Sequence, residues 1–455
     1  MTFPNARAWL GLGLISCIAS LANAAVPSAN GLSDSLAYDE AYWSRPHNPY
    51  ETAQFPNLLD VLNRGNRVVE LDVWESGGQL VVKHNGTDGD YANNCNGGSG
   101  GSFADCLNDL VSWSNSHPNH LPITLQIDLK AGLLFGWDSG SRSQLNNQLS
   151  QSLGNRIYTP EQLRQYTGNS SLRLGVVNNG WPTIGSLRGK FLVMLTGGPI
   201  GQKNQTQRAY IEQFGNQAKA LVCPQAEDPI YFDAYGSAKD FSGYSANNWV
   251  VCGNTENLKY WSKTVEASAL NRQVINIWSS DNSYFDAYHR AYIAVASGAS
   301  MISRETLDSY GNRIPLNGER RSVPNRFSLQ AEHSGQCLDI DNANYNDGSD
   351  ILQWTCHGGV NQAFRYSDET QLRAVGNEEY CFDVDGGQSV AGKGLHLWDC
   401  DGGDSEKWQL TTSGQLIGIG GRCAAVPGSS QQSGVQAQLA NCTSGANQRF
   451  NLIPY

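Results

Sequence analysis

Charge is scarce in this chain, and long apolar runs are scarcer. Asp, Glu, Lys and Arg supply only 16% of the 455 residues, and the formal net charge is −11. That acidic balance argues against a nucleic-acid partner and gives no electrostatic attraction to an anionic membrane. Beyond the N-terminus no apolar stretch is long enough to span a bilayer, so a soluble mature protein is expected. No two cysteines stand in C-x-x-C spacing, which disfavours zinc. In place of charge there are 49 glycines and many aromatics, a turn-rich composition that suits a secreted protein. At 40% hydrophobic the chain can bury a sizeable core, and its length suits two or three domains.

The N-terminus has the layout of a signal peptide over residues 1–24. Arg7 lies in the n-region, residues 9–22 form the apolar segment, and Ala22-Asn23-Ala24 is an A-x-A cleavage site. A secreted protein is the expectation. The rival is a lipoprotein box, Leu14-Ile15-Ser16-Cys17, which would leave the chain lipid-anchored at Cys17. Setting Cys17 aside leaves ten cysteines, and in an exported chain these suggest five disulfides. The spacing proposes Cys95–Cys106, Cys223–Cys252, Cys337–Cys356, Cys381–Cys400 and Cys423–Cys442, the last three each nineteen residues apart.

Residues 31–310 alternate short Val/Ile/Leu-rich runs with helical stretches. The runs are 67–74, 79–85, 123–130, 189–197, 219–225, 248–254, 273–279 and 299–303. Continuous apolar runs fit strands buried on both faces, and eight of them among helices predict an α/β fold, a parallel (β/α)8 TIM-type barrel. Helices are expected over 55–65, 159–166, 207–218 and 284–298. Residues 311–324 read as a linker. Beyond them helical periodicity vanishes, and a repeat of roughly 40–45 residues appears three times. Three units with matched cysteines predict an all-β trefoil over 325–455.

A polar constellation stands at the mouths of the first strands. Glu70 and Asp72, two apart on one strand, share a face, and two carboxylates aimed into one barrel need a cation. Asn48 offers a carbonyl oxygen and Asp128 a further carboxylate. An all-oxygen set suits Ca²⁺, with Mg²⁺ second. His47 and His84 are then free to move protons, and Lys130, on the face of Asp128, can meet a phosphate. Plainer readings stand beside these: loop histidines, and salt bridges from Glu70 and Asp72 to Arg64, Arg67 or Lys83. His117, His120 and His289 have no nameable partners and are expected at the surface.

The order His47-Asn48 in SRPHNPYE, ELD at 70–72 and KHNG at 83–86, with WPTIGSLRGK at 181–190, resembles the calcium-dependent phosphatidylinositol-specific phospholipase C family. The chain departs from that pattern at Pro49, where Ser is usual. The resemblance implies a metal-dependent phosphodiesterase that cleaves phosphatidylinositol to diacylglycerol and inositol (cyclic) phosphate. Calcium would lie on Asn48, Glu70, Asp72 and Asp128, with His47 and His84 catalytic and Lys130 on the substrate phosphate. It also implies a phospholipid or glycerophosphodiester substrate and peripheral membrane contact. A glycerophosphodiester phosphodiesterase or a sphingomyelinase D-like enzyme is the alternative on the same fold. A catalytically inactive carbohydrate-binding protein is the alternative of another class. A glycosidase would need a carboxylate pair on later strands, and none has a supporting motif.

The repeats resemble the ricin B-type lectin family. Carried over, the first unit offers Asp339, Trp354, Asn361 and Gln362 for carbohydrate, and the second Asp383, His396 and Trp398, with Glu406 a further candidate. In the third, Ala425 and Ala440 replace the acid and the aromatic, so no third pocket is expected. An indole beside a carboxylate matches a sugar's apolar face and fixed hydroxyls. Otherwise the tryptophans are core residues and the acids cap turns. Glycans are therefore the expected partners of a chain taken to be monomeric.

Overall fold

The computed structural model describes residues 32–131, 136–197, 205–225, 248–255, 265–278, 287–304, 317–320, 324–367 and 370–455. The leader and Cys17 lie outside the described residues.

Eight strands of the first domain run parallel. β1 (Ala41–Pro46) pairs with β9 (Met301–Arg304), β9 with β8 (Val274–Ile277), and β8 with β7 (Cys252–Thr255). β2 (Val68–Ser76) pairs with β4 (Ile123–Lys130), β4 with β5 (Phe191–Gly197), and β5 with β6 (Leu221–Val222). A lone parallel bridge, Gln225 to Asn254, joins the β6 and β7 ends of these two sheets. β1 and β2 are neighbours without a ladder, and side chains span that seam.

Two expectations need correction. The run at 79–85 is no parallel strand. β3 (Gln79–Val82) folds back antiparallel on β2 through Gly77 and Gly78, whose φ values of 57° and 83° suit a tight hairpin turn. The parallel strand that the apolar runs did not mark is β1. Its sequence AYWSRP has no aliphatic run, yet all six residues are buried, and alternation sets Trp43 on the face of Arg45 and Tyr42 on the opposite one. The helices expected at 159–166 and 207–218 form as Pro160–Thr167 and Gln205–Phe214. The first starts on a Thr159–Gln162 capping box with proline at its first turn, and ends on left-handed Gly168. Of 55–65, only Asp60–Asn63 is α-helical.

Part of the expected linker is also structured. β10 (Asn317–Glu319) lies antiparallel on β1, with Gly318 opposite Tyr42. A Cβ on Gly318 would meet the Tyr42 ring at 2.5 Å, so glycine is required there.

The second domain is a set of short antiparallel strands. Its first, Phe327–Ala331, pairs with its last, Phe450–Pro454, and closes the unit. Each repeat contributes a strand pair: Cys337–Ile340 with Ile351–Trp354, Tyr380–Val384 with Leu395–Asp399, and Arg422–Ala425 with Gln438–Ala440. Leu338, Phe364, Phe382, Trp408 and Leu439 meet in one core. The disulfides are the five pairs proposed from spacing.

That core does not stop at the domain boundary. Helix Ala287–Ser297 of the first domain buries Tyr288, Ala291, Tyr292 and Val295 in the same cluster as Phe327, Leu329 and Tyr366. The Tyr292 hydroxyl donates to Pro324 O at 2.9 Å. His289, expected at the surface, is fully buried there; its Nδ1 accepts the Leu410 N–H at 2.8 Å. His120 is likewise buried, between Ser114 Oγ (2.9 Å) and Leu121 O (2.6 Å). His117 is exposed, as expected, and its ring stacks on Trp113 at 4.1 Å. Each ring lies against a tryptophan or a tyrosine face.

Candidate active site and lectin pockets

Register brings the polar residues together. Across the β2–β4 ladder, Asp72 stands opposite Asp128 and Glu70 opposite Gln126. Both β2 carboxylates are buried, with Glu70 4% and Asp72 1% exposed. From β4, the Lys130 ammonium lies 3.1 Å from Asp72 Oδ2 and 2.7 Å from Asp128 Oδ2. Burial alone would lower the Lys130 pKa, but Asp128 and Asp72 outweigh it and raise it.

Glu70 does not pair with Arg64, Arg67 or Lys83. Its cation is Arg45, fully buried on β1, whose Nη1 donates to Glu70 Oε2. The Asn48 N–H donates to the same oxygen at 3.2 Å. Burial pushes Glu70 up, yet Arg45, His47 and the Asn48 N–H together bring it below its usual value. Asp72 goes the other way: burial raises it, Lys130 opposes, and Asp128 and Glu70 raise it again.

Asn48 joins β1 to His84. Its φ of 49° is left-handed, a conformation asparagine tolerates better than most residues. Pro49 leaves that turn intact: Glu51 N–H returns to Asn48 O at 3.0 Å, and buried Asn94 Nδ2 holds Pro49 O at 2.8 Å. The Asn48 Nδ2 group lies 3.4 Å from Glu51 Oε1 and 2.7 Å from His84 Nδ1. Glu51 accepts only, so the amide nitrogen faces Glu51 and His84 while Oδ1 turns inward. His84 Nδ1 is also 3.4 Å from Glu51 and 3.8 Å from Asp72, and its side chain is 41% exposed. His47 is partly buried on the same loop, tilted against Trp278 at 6.5 Å. Tyr50 is buried beside the two β2 carboxylates; burial and then Asp72 push its phenol up.

Among the described residues, no group of three or more His, Cys, Asp or Glu stands as a ready metal cluster. The donor chemistry nevertheless fits a hard cation. Asn48 Oδ1, Asp72 Oδ2 and Asp128 Oδ1 are buried oxygens that accept no hydrogen bond. Each such oxygen is costly to bury unless a donor or a cation meets it. Asp72 Oδ2 touches Lys130 as charge on charge, without hydrogen-bond direction.

In the first lectin pocket Asp339 lies on the floor. Asn361 Nδ2 donates to Oδ1 at 2.8 Å, Gln362 Nε2 to Oδ2 at 2.7 Å, and His357 Nε2 stands 3.1 Å from Oδ2. Trp354 is 44% exposed and is not a core residue. Gln362 is a correction. It is fully buried, spans Thr355 O and the His357 N–H, and steers Asp339 rather than facing a ligand. In the second pocket Ser405 Oγ donates to Asp383 Oδ2 at 2.9 Å, and His396 Nε2 lies 3.5 Å from Oδ1. Trp398, 43% exposed, stacks on His396 at 5.5 Å. Glu406 is buried too and accepts the Asp401 and Gly402 N–H groups, bracing a turn as Gln362 does. Gln448 has this place in the third unit, where Ala425 and Ala440 stand opposite Gln438 and Cys423. His357, unmarked in sequence, directly follows the unit's second cysteine.

Residues 87–227 match the family model described as phosphoinositide phospholipase C, Ca²⁺-dependent, and residues 325–451 match that of the ricin-type β-trefoil lectin domain. The first match takes in Asp128 and Lys130 but begins after His84. Among solved structures, the calcium-dependent phosphoinositol-specific phospholipase C of a Pseudomonas species is 24% identical, with a TM-score of 0.52. It aligns over 63% of this chain and 96% of its own. The corresponding Streptomyces antibioticus enzyme is 22% identical, with a TM-score of 0.53, over 63% and 100%. At that identity the two structures show a shared fold. The chain thus joins a region similar to calcium-dependent phosphoinositide phospholipase C to one that matches the ricin-type β-trefoil lectin domain.

Proposed function

We propose that this is a secreted, calcium-dependent phosphodiesterase that cleaves phosphatidylinositol to diacylglycerol and inositol (cyclic) phosphate. The observation that carries the reading is the set of unbonded buried oxygens on Asn48, Asp72 and Asp128, with Asp128 opposite Asp72 in the ladder and Glu70 on the same strand face as Asp72. The eight parallel strands are read as one closed (β/α)8 barrel with its seam between β1 and β2.

Calcium bound by Asn48, Glu70, Asp72 and Asp128 would acidify the inositol 2-hydroxyl and offset phosphate charge. The chain's own groups do the rest. Lys130, between Asp72 and Asp128, meets a non-bridging phosphate oxygen. His47 donates to the phosphorane as charge gathers. Glu70 is paired with Arg45, and Asp72, 3.1 Å from Lys130, is the other β2 carboxylate placed to take the 2-hydroxyl proton. His84 accepts the Asn48 amide at Nδ1, so its proton sits on Nε2, where it can pass to the departing diacylglycerol oxygen. The stripped Nε2 then takes a proton from water to open the cyclic phosphate. The neighbouring hydroxyl is the nucleophile, so no protein nucleophile is needed.

The exposed Trp354 and Trp398, on the strands paired with those of Asp339 and Asp383, support glycan binding, which would concentrate the enzyme on glycan-bearing surfaces. Phosphorus NMR of phosphatidylinositol turnover, with and without chelator, tests the reading. Chelator-sensitive inositol phosphate or its cyclic form supports it. Glycerol phosphate released from deacylated lipid favours a glycerophosphodiesterase, and glycan binding without turnover favours an inactive lectin.

A further inference from the structure

Asp72 and Asp128 share the Lys130 ammonium, so Glu70 is the carboxylate of the proposed calcium cup that needs another cation. Arg45 supplies it from beneath, with no solvent exposure. An unpaired guanidinium at that depth would be prohibitively costly, and its contacts are specific. Nη1 donates to Glu70 Oε2, and Nε donates to Asn276 Oδ1 at 3.1 Å. Arginine only donates, so Asn276 must present its oxygen. Its amide nitrogen is therefore turned to Asn254 Oδ1 at 2.5 Å, and the Asn254 nitrogen to Gln225 Oε1 at 3.0 Å. One polarity runs through four side chains, from Gln225 after β6 through Asn254 on β7 and Asn276 on β8, past β9, to Arg45 on β1.

We infer that Arg45 is a positioning residue for calcium, and that Asn276 and Asn254 hold it in place. Glu70 Oε2 takes two donors, Arg45 Nη1 and the Asn48 N–H. The carboxylate is thereby locked in rotation, and Oε1 is the oxygen left for a cation. The same Oε2 ties the backbone of Asn48, a second proposed ligand, to β2 across the seam that has no ladder. Arg45 thus fixes two ligands at once without touching the metal or the substrate.

This inference rests on the calcium reading, and direct calcium titration of the full-length protein by calorimetry, without lipid, tests both. Arg45→Lys keeps a charge but cannot hold Glu70 and Asn276 together. Its calcium Kd is expected to rise by about tenfold, the usual effect of losing a group that orients a metal ligand. Asn276→Ala, which leaves the Arg45–Glu70 pair in place, is expected to shift Kd in the same direction by a smaller factor. It keeps the test alive should Arg45→Lys fail to fold. Folded Arg45→Lys or Asn276→Ala proteins with wild-type calcium Kd would overturn the positioning role alone. A wild-type protein with no saturable calcium binding would overturn the calcium reading and this inference with it.

Discussion

Gly197 closes β5 beside Asp128, and replacing it tests Asp128 as one of the four proposed calcium ligands. The residue has φ 68°, and a Cβ built there falls 1.7 Å from Asp128 Oδ1, 2.8 Å from its Cγ and 3.1 Å from Leu129 N. Gly197→Ala has two separable effects. The left-handed backbone costs an alanine about 1–2 kcal/mol. The methyl group also evicts Oδ1, one of the buried oxygens without a hydrogen bond, and the carboxylate must swing off the Lys130 ammonium 2.7 Å away. Gly154 provides the control: its φ is 55°, and a Cβ there meets nothing within 4 Å. Gly154→Ala therefore carries the backbone cost alone. Both variants should melt a few degrees lower, since about 1 kcal/mol shifts a domain of this size by roughly 2–4 °C. Only Gly197→Ala should weaken calcium binding, by about tenfold or 1.4 kcal/mol, with Asp128→Asn matching it. If calorimetry gives Gly197→Ala and Gly154→Ala the same calcium Kd, Asp128 is not a ligand.

Truncation after Pro324 should do more than remove glycan binding. It strips the cover from Tyr288, Tyr292 and Val295, at roughly 1.5–3 kcal/mol per large side chain. The truncated protein is expected to aggregate or melt well below the full chain; equal melting and equal activity on dispersed lipid would show that the interface is dispensable. Trp354→Ala and Trp398→Ala should each leave the melting temperature within about 1–2 °C, because both rings are largely exposed. Each should lower retention on a glycan column, and the pair together should abolish it; undiminished retention of the double variant would remove both pockets. Burial lowers the His120 pKa in the fold, outweighing its backbone bond to Leu121. In the window between the depressed folded pKa and the unfolded value the unfolded chain binds more protons, so this contribution is complete above the unfolded value of about 6.5 and is lost as pH falls below it. A His120→Gln variant should show a shallower fall in melting temperature below that pH, and an unchanged slope would contradict the assignment.

What the sequence revealed about the site followed from period and spacing. Glu70 and Asp72 sit two apart on an apolar strand, so their shared face was legible before any fold was known, and the β2–β4 register then set Asp128 against Asp72. Cysteine spacing did the same for the trefoil. Arg45 escaped because β1 hides its identity: aromatic, serine, arginine and proline side chains make a strand that apolar counting passes over. The available signal was positional, since Arg45 stands two residues before His47 and alternation points both the same way. Asn254 and Asn276 gave a similar hint, each a lone amide inside a buried strand. The domain interface was hidden differently. Residues 311–324 carry the glycine, proline and charge of a linker, and that composition implied two domains free of one another. Helix Ala287–Ser297 implied the opposite: Tyr288, Ala291, Tyr292, Ile293, Ala294 and Val295 are apolar around most of its circumference. A helix packed on a sheet has one side to give to it, so apolar residues on its other side call for a second covering surface. Here that surface is the trefoil, and a first domain whose helix is covered by the lectin domain is a single folding problem rather than an enzyme on a tether.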